Sequence, residues 1–217
     1  MTHCLLFDSD GTLVDSEAIN TEALADELAL HQITEDKTSL LTRYRGWQFK
    51  ALLDDLSELH RVELHSHFEA AFRARASDYF AEKLKPVDHI GEALQQLQHV
   101  KCVASNAPMN KLTQVLSKTG LSKFFNGNLF SAYDISRFKP DPALFLHAAE
   151  QMGFNATKCI VIEDSEVGVK AAMAAAMKCV HYVPGGNNVA HVTACNVVTI
   201  SSMLELPSAI AQLETQS

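Results

Sequence analysis

The sequence has 217 residues, of which 47% are apolar and 20% charged, and its formal net charge is −8. These values fit one globular domain, or a core domain with an insertion, and exclude disordered or collagen-like chains. The acidic balance, without any dense Lys/Arg run, argues against nucleic acid or an anionic membrane surface as the partner. No stretch approaches the length of a membrane span, and the apolar patch Cys4–Phe7 is too short for a secretory leader. The five cysteines (Cys4, Cys102, Cys159, Cys179 and Cys195) are odd in number and form no CxxC pair. They read as small reduced core residues, as expected of a cytoplasmic protein.

In chain order, the first element is the short apolar run His3–Phe7. Amphipathic helical patterns follow at Glu17–Leu30, Phe49–His60 and Ser66–Leu84, with no convincing strand before Pro86 closes the interval. Apolar runs then alternate with helical patterns. The runs are Val100–Ala104, Asn128–Ser131, Cys159–Ile162, Cys179–Tyr182 and Val197–Ile200, and the helices are Asn110–Thr119, Pro142–Met152 and Ser165–Ala175. Each run is short and apolar on both faces, which suits strands buried in a parallel sheet. Gly120 and Gly153 stand where helices would end, and Asp141-Pro142 reads as an N-cap followed by proline at the first helical position. The alternation predicts an α/β fold: a doubly wound, Rossmann-like parallel sheet formed by residues 1–15 and 86–217, with a small α-helical cap domain inserted at 16–85.

The chemistry-bearing motifs fall at the ends of these strands or in the loops that follow them. Asp8-Ser9-Asp10-Gly11-Thr12 comes straight after the first strand. Two carboxylates spaced i, i+2 repel each other unless a cation lies between them or one is protonated. Gly11 permits the sharp turn that brings both to one site. Ser105-Asn106 ends the second core strand, where a hydroxyl and N–H groups can hold phosphate oxygens. Lys139, before Pro140, supplies a positive charge, and Pro140 is a candidate for a cis bond. Glu163-Asp164-Ser165 follows another strand and completes an oxygen-rich site for a hard cation such as Mg²⁺. Taken singly, each motif is also a plausible turn or helix cap. Together they contain a carboxylate nucleophile, an acid/base, a metal site and phosphate-binding donors.

The ordered set Asp8–Thr12 (DSDGT), Ser105-Asn106, Lys139 and Glu163-Asp164 resembles the haloacid dehalogenase superfamily, in its subclass with a helical cap. Phe7–Ser16, Ser105–Lys111 and Asp134–Pro142 look like sugar-phosphate phosphatases and β-phosphoglucomutases. Leu129–Ala149 and Val161–Gly168 are similar to the 6-phosphogluconate phosphatase type. The resemblance implies that Asp8 attacks phosphorus and that Asp10 protonates the leaving oxygen and later activates water. It implies Mg²⁺ on Asp8, the backbone carbonyl of Asp10 and Asp164, with Glu163 acting through water. It implies that Ser105, Asn106 and Lys139 hold the transferring phosphoryl group. The expected substrate is a small phosphorylated metabolite, a sugar or sugar-acid phosphate, and the default oligomeric state is a monomer. Asp10 favours phosphoryl transfer over dehalogenation, because a departing halide needs no proton.

Some positions depart from the mutase pattern. Asn20 stands where the mutases carry a histidine, and Phe49 stands where their cap carries an arginine. Both favour a phosphatase over a phosphomutase, the runner-up, and the intact acid set disfavours a non-catalytic binding protein. Arg45 and Lys50 are candidates to contact an acidic substrate, and Trp47 fits the cap core and the substrate cleft equally well. His60, His65 and His67 read as surface histidines. Ala176 replaces the glycine usual at a left-handed helix end, at a cost of ~1 kcal/mol.

Overall fold

A computed structural model of the chain describes residues 3–44, 49–64, 66–184 and 196–215. Arg45, Trp47, His65 and Cys195 lie outside the described residues. The chain divides into two compact units, Met1–Val14 with Pro86–Ser217, and Asp15–Lys85.

The first unit is built on a six-stranded parallel sheet of order β3-β2-β1-β4-β5-β6. The strands are β1 (Cys4–Phe7), β2 (Val100–Ser105), β3 (Leu129–Ser131), β4 (Cys159–Glu163), β5 (Lys178–Tyr182) and β6 (Val197–Ile200). All six expected strands form. Every residue of β1 and β4 is buried, as central strands covered on both faces must be. In register, Cys4 lies beside Cys159 on one side and Val100 on the other. Cys4, Cys102, Cys159 and Cys179 are free, fully buried, and share one apolar cluster with Leu6, Phe145, Val161 and Val169. Burial pushes the Cys159 thiol up to about 12, and complete enclosure in the apolar cluster makes all four packing groups.

The strand order reverses direction between β1 and β4. In an open α/β sheet, the crevice outside the carboxyl ends of strands at such a point is where ligands bind.

The helices that shape this end are α6 (Met109–Lys118), α8 (Ala143–Gln151) and α9 (Glu166–Ala174). Asp141 Oδ1 accepts from the Ala143 N–H at 2.8 Å, but α8 starts at Ala143 with Pro142 at its N-cap, one residue later than expected. Ala176 adopts φ 55°, the strained conformation anticipated for it. Further helices that the sequence pattern did not reveal are α5 (Ile90–Gln96), α7 (Ala132–Ile135) and α10 (Leu206–Thr215).

The second unit is helical: α1 (Glu17–Leu30), α2 (Lys37–Tyr44), α3 (Phe49–His60) and α4 (Ser66–Lys83). It has its own core, with Leu28, Leu40, Leu56 and Phe68 at its centre and Phe49 stacked on Phe72 at 4.5 Å between ring centroids. Its buried acid, Glu27, is matched by Arg75 at 3.0 Å. Lys50, a candidate contact for an acidic substrate, pairs with Asp54 one turn on, in water. His60, expected at the surface, is instead largely covered and bonded to Glu35 at 2.6 Å. No described helix is long and apolar enough to cross a membrane.

Candidate active site

Asp8 is the first residue beyond β1, and its backbone N–H donates to Ile162 O at 2.9 Å. That bond prolongs the β1–β4 pairing by one residue and fixes where the carboxylate leaves the sheet. Gly11 completes the turn with φ +83°. A Cβ there would lie 2.3 Å from Asp164 Oδ2, so Gly11 both permits the turn and leaves room for that carboxylate. Thr12 donates its hydroxyl to Asp164 Oδ1 at 3.1 Å and holds it from the same loop.

Lys139 reaches into the strand ends from the loop after α7. Its Nζ lies 2.6 Å from Asp8 Oδ1 and 2.7 Å from Glu163 Oε1. It also lies 4.7 Å above the centre of the Phe145 ring, on the buried face of α8. Its main chain is braced by Asn106. The Lys139 N–H donates to Asn106 Oδ1 at 2.9 Å, and Asn106 Nδ2 donates to Lys139 O at 3.5 Å. The Lys139-Pro140 bond is cis. Ser105 is buried at the end of β2, where its Oγ accepts from the Ala107 N–H at 3.1 Å.

Glu163 spends both oxygens inside the protein. Oε1 meets Lys139, while Oε2 accepts from the N–H and hydroxyl of Ser165 at 2.7 and 2.8 Å. A Cβ on Gly168 would fall 1.9 Å from the Glu163 Cδ, so α9 approaches the carboxylate only because this residue is glycine.

Asp8, Glu163, Asp164 and Lys139 are all buried, at 7%, 1%, 3% and 7% exposure. Counted as ions, three carboxylates share one ammonium, a formal balance of −2. Burial pushes the Asp8 carboxyl well above the usual aspartate range, Lys139 pulls it back, and Glu163 and Asp164 add to the rise. Burial works against the Lys139 ammonium, but Asp8 and Glu163 together outweigh it and raise it above an ordinary lysine. The cluster therefore suits one divalent cation on hard oxygen ligands. No group of three or more His, Cys, Asp or Glu side chains among the described residues forms a cage for a metal. The donor set that the family resemblance implies is two carboxylates and a main-chain carbonyl. Such a sparse set fits Mg²⁺, which keeps several of its waters.

Asp10 belongs to a separate pair. Its Oδ1 and Oδ2 lie 3.0 and 2.8 Å from Lys111 Nζ, at the start of α6.

The sequence profile of the haloacid dehalogenase-like hydrolases matches residues 2–176. The chain belongs to that family. It is 34% identical over 204 residues to the 6-phosphogluconate phosphatase of Escherichia coli (strain K12), covering 94% of this chain and 92% of that one. It is 31% identical over 182 residues to the validoxylamine A 7'-phosphate phosphatase of Streptomyces hygroscopicus subsp. limoneus, covering 81% and 83% of the two chains. Among solved structures, a haloacid dehalogenase-like protein of unknown function from Agrobacterium tumefaciens superimposes with a TM-score of 0.86 at 27% identity, covering 98% of this chain and 99% of that one. A family hydrolase from Deinococcus radiodurans, solved with phosphate and sodium, gives 0.84 at 26% identity, covering 98% and 96%.

In this haloacid dehalogenase-like hydrolase, the structure brings Asp8, Lys139, Glu163 and Asp164 together at the strand ends. It places the Asn106 amide against the Lys139 main chain. Thr12, Lys111 and Gly168 went unassigned in the sequence although each stands inside a quoted motif segment. Their signal was position in the segment, but their roles required side-chain directions that spacing does not give.

Proposed function

We propose that the protein is a Mg²⁺-dependent phosphomonoesterase acting on a sugar or sugar-acid phosphate through an aspartyl-phosphate. The observation that carries this reading is the buried cluster of three carboxylates around Lys139 at the switch point of the sheet. The two curated relatives named above are phosphatases of small phosphorylated metabolites, which supports the same reaction class.

A carboxylate oxygen of Asp8 attacks phosphorus as the bond from phosphorus to the alcohol oxygen breaks. Asp10 gives that oxygen a proton, help worth ~10²–10⁴ in rate for general acids. Water then attacks the aspartyl-phosphate, Asp10 takes its proton, and inorganic phosphate leaves with Asp8 restored. Lys139 offsets the repulsion between the anionic nucleophile and the phosphate dianion and stabilises the equatorial oxygens. Glu163 holds Lys139 in line, and Asn106 fixes the loop that delivers it. Ser105 is assigned to the transferring phosphoryl group. Asp8, the Asp10 carbonyl and Asp164, with Glu163 through water, are the residues that would hold Mg²⁺, whose chemistry there is charge neutralisation and polarisation of the phosphoryl oxygens. The helical insertion expected at 16–85 is assigned the choice of the alcohol portion.

Phosphate release from a panel of phosphorylated metabolites tests this directly. Release is expected with Mg²⁺, and chelation should abolish it. Absence of release from every phosphomonoester in the presence of Mg²⁺ would overturn the reading.

A further inference from the structure

Two lysines serve this site, and they are placed differently. Lys139 is enclosed and bonded to two buried acids. The Lys111 and Asp10 side chains remain 32% and 28% exposed, and Lys111 donates to both oxygens of Asp10. An ion pair that water partly reaches is held less firmly than the enclosed one, so its partners can be exchanged.

Lys111 stands in the first turn of α6, which carries no acidic residue and has no side-chain cap at its start. The helix dipole adds positive potential at this end, so an ammonium here is unfavourable without an anion beside it. That anion is Asp10. On the acid/base role proposed for Asp10, its carboxylate faces the leaving oxygen, so the lysine bonded to it lies on the alcohol side of the substrate.

We propose that Lys111 is a specificity-determining residue: it exchanges Asp10 for a carboxylate on the alcohol portion of the substrate. In doing so it releases Asp10 to meet the leaving oxygen. The site therefore favours sugar-acid phosphates over neutral sugar phosphates. This rests on the phosphatase reading and on the acid/base role of Asp10 given above.

The test compares 6-phosphogluconate with glucitol 6-phosphate, which differ only in a carboxylate against a hydroxymethyl group. The unaltered protein should prefer the acid. In Lys111→Met the ratio of kcat/KM for the two substrates should fall by about 10- to 100-fold, the scale of one charge-assisted hydrogen bond. Most of that loss should enter through KM for the acid, and Lys111→Arg should keep most of the preference. Equal losses on both substrates, or a preference of the unaltered protein for the neutral one, would overturn the role of Lys111 while leaving the phosphatase reading in place. If the unaltered protein releases phosphate from no phosphomonoester, the phosphatase reading falls, and this proposal falls with it.

Discussion

Asp8 and Asp10 are two residues apart in sequence, each is bonded to a lysine, and their surroundings are opposite. The Asp8–Lys139 pair is buried beside two further acids, whereas Asp10–Lys111 is only partly covered. A nucleophile gains from being fixed, because attack at phosphorus needs one geometry and a fixed charge partner. An acid/base must reach both a leaving oxygen and a water, so a looser pair serves it better. The difference assigns rigidity to the first carboxylate and exchange to the second.

The largest expected effect breaks the buried half chemically and leaves its fold alone. Asp8→Asn should lower kcat by a factor on the order of 10⁶, as happens when a covalent nucleophile is removed. It also takes one negative charge from a cluster whose formal balance is −2. Its melting temperature without metal should therefore equal or exceed that of the unaltered protein, by thermal unfolding followed by circular dichroism. Substantial phosphate release by this variant would remove Asp8 from the nucleophile's place.

Lys139→Met breaks the same half from the other side. It leaves Asp8, Glu163 and Asp164 buried without their ammonium. Removing one partner from a buried pair costs about 3–5 kcal/mol, so the urea midpoint should drop sharply. Turnover should fall by about 10²–10³ as well, the cost of losing one preorganised charge at the phosphoryl group. A variant of unchanged stability would show that the acids do not depend on Lys139.

How far this contrast was legible beforehand depends on what each feature requires. The strands were readable because a buried parallel strand must be apolar on both faces, and Cys4–Phe7 and Cys159–Ile162 are continuous apolar runs. The long helices α1 and α3 were readable from their apolar spacing. Helix α2, with only Leu40 and Tyr44 buried in eight residues, offers too little pattern, and α10 carries Pro207 near its start. Asp8, Glu163 and Asp164 were legible as polar residues at the ends of strands, and Lys139 as the lysine before Pro140 in the loop ahead of a helix. The exposed half was not legible in the same way. Lys111 is one of several lysines at helix starts, and only its direction towards Asp10 separates it from a solvated side chain. Likewise, Asn106 looked like a phosphate ligand by position, while its amide is engaged with the Lys139 main chain.

The smallest effects come from one methyl group placed in two helices. In α9, Gly168→Ala puts a Cβ 1.9 Å from the Glu163 Cδ, and Glu163 cannot yield freely because Lys139 and Ser165 hold both its oxygens. Overpacking of this kind costs about 1–3 kcal/mol, and the displaced Glu163 should carry Lys139 with it and lower kcat. In α5, Gly91→Ala meets nothing within 4 Å, and Gly91 does not have a positive φ. Alanine loses less backbone freedom on folding, so this change should stabilise the protein by about 0.5–1 kcal/mol and leave phosphate release untouched. Urea unfolding and steady-state kinetics on the two variants should therefore move in opposite directions for stability and diverge for turnover. If Gly168→Ala behaved like Gly91→Ala, the packing of α9 against Glu163 would not be what aligns the buried lysine.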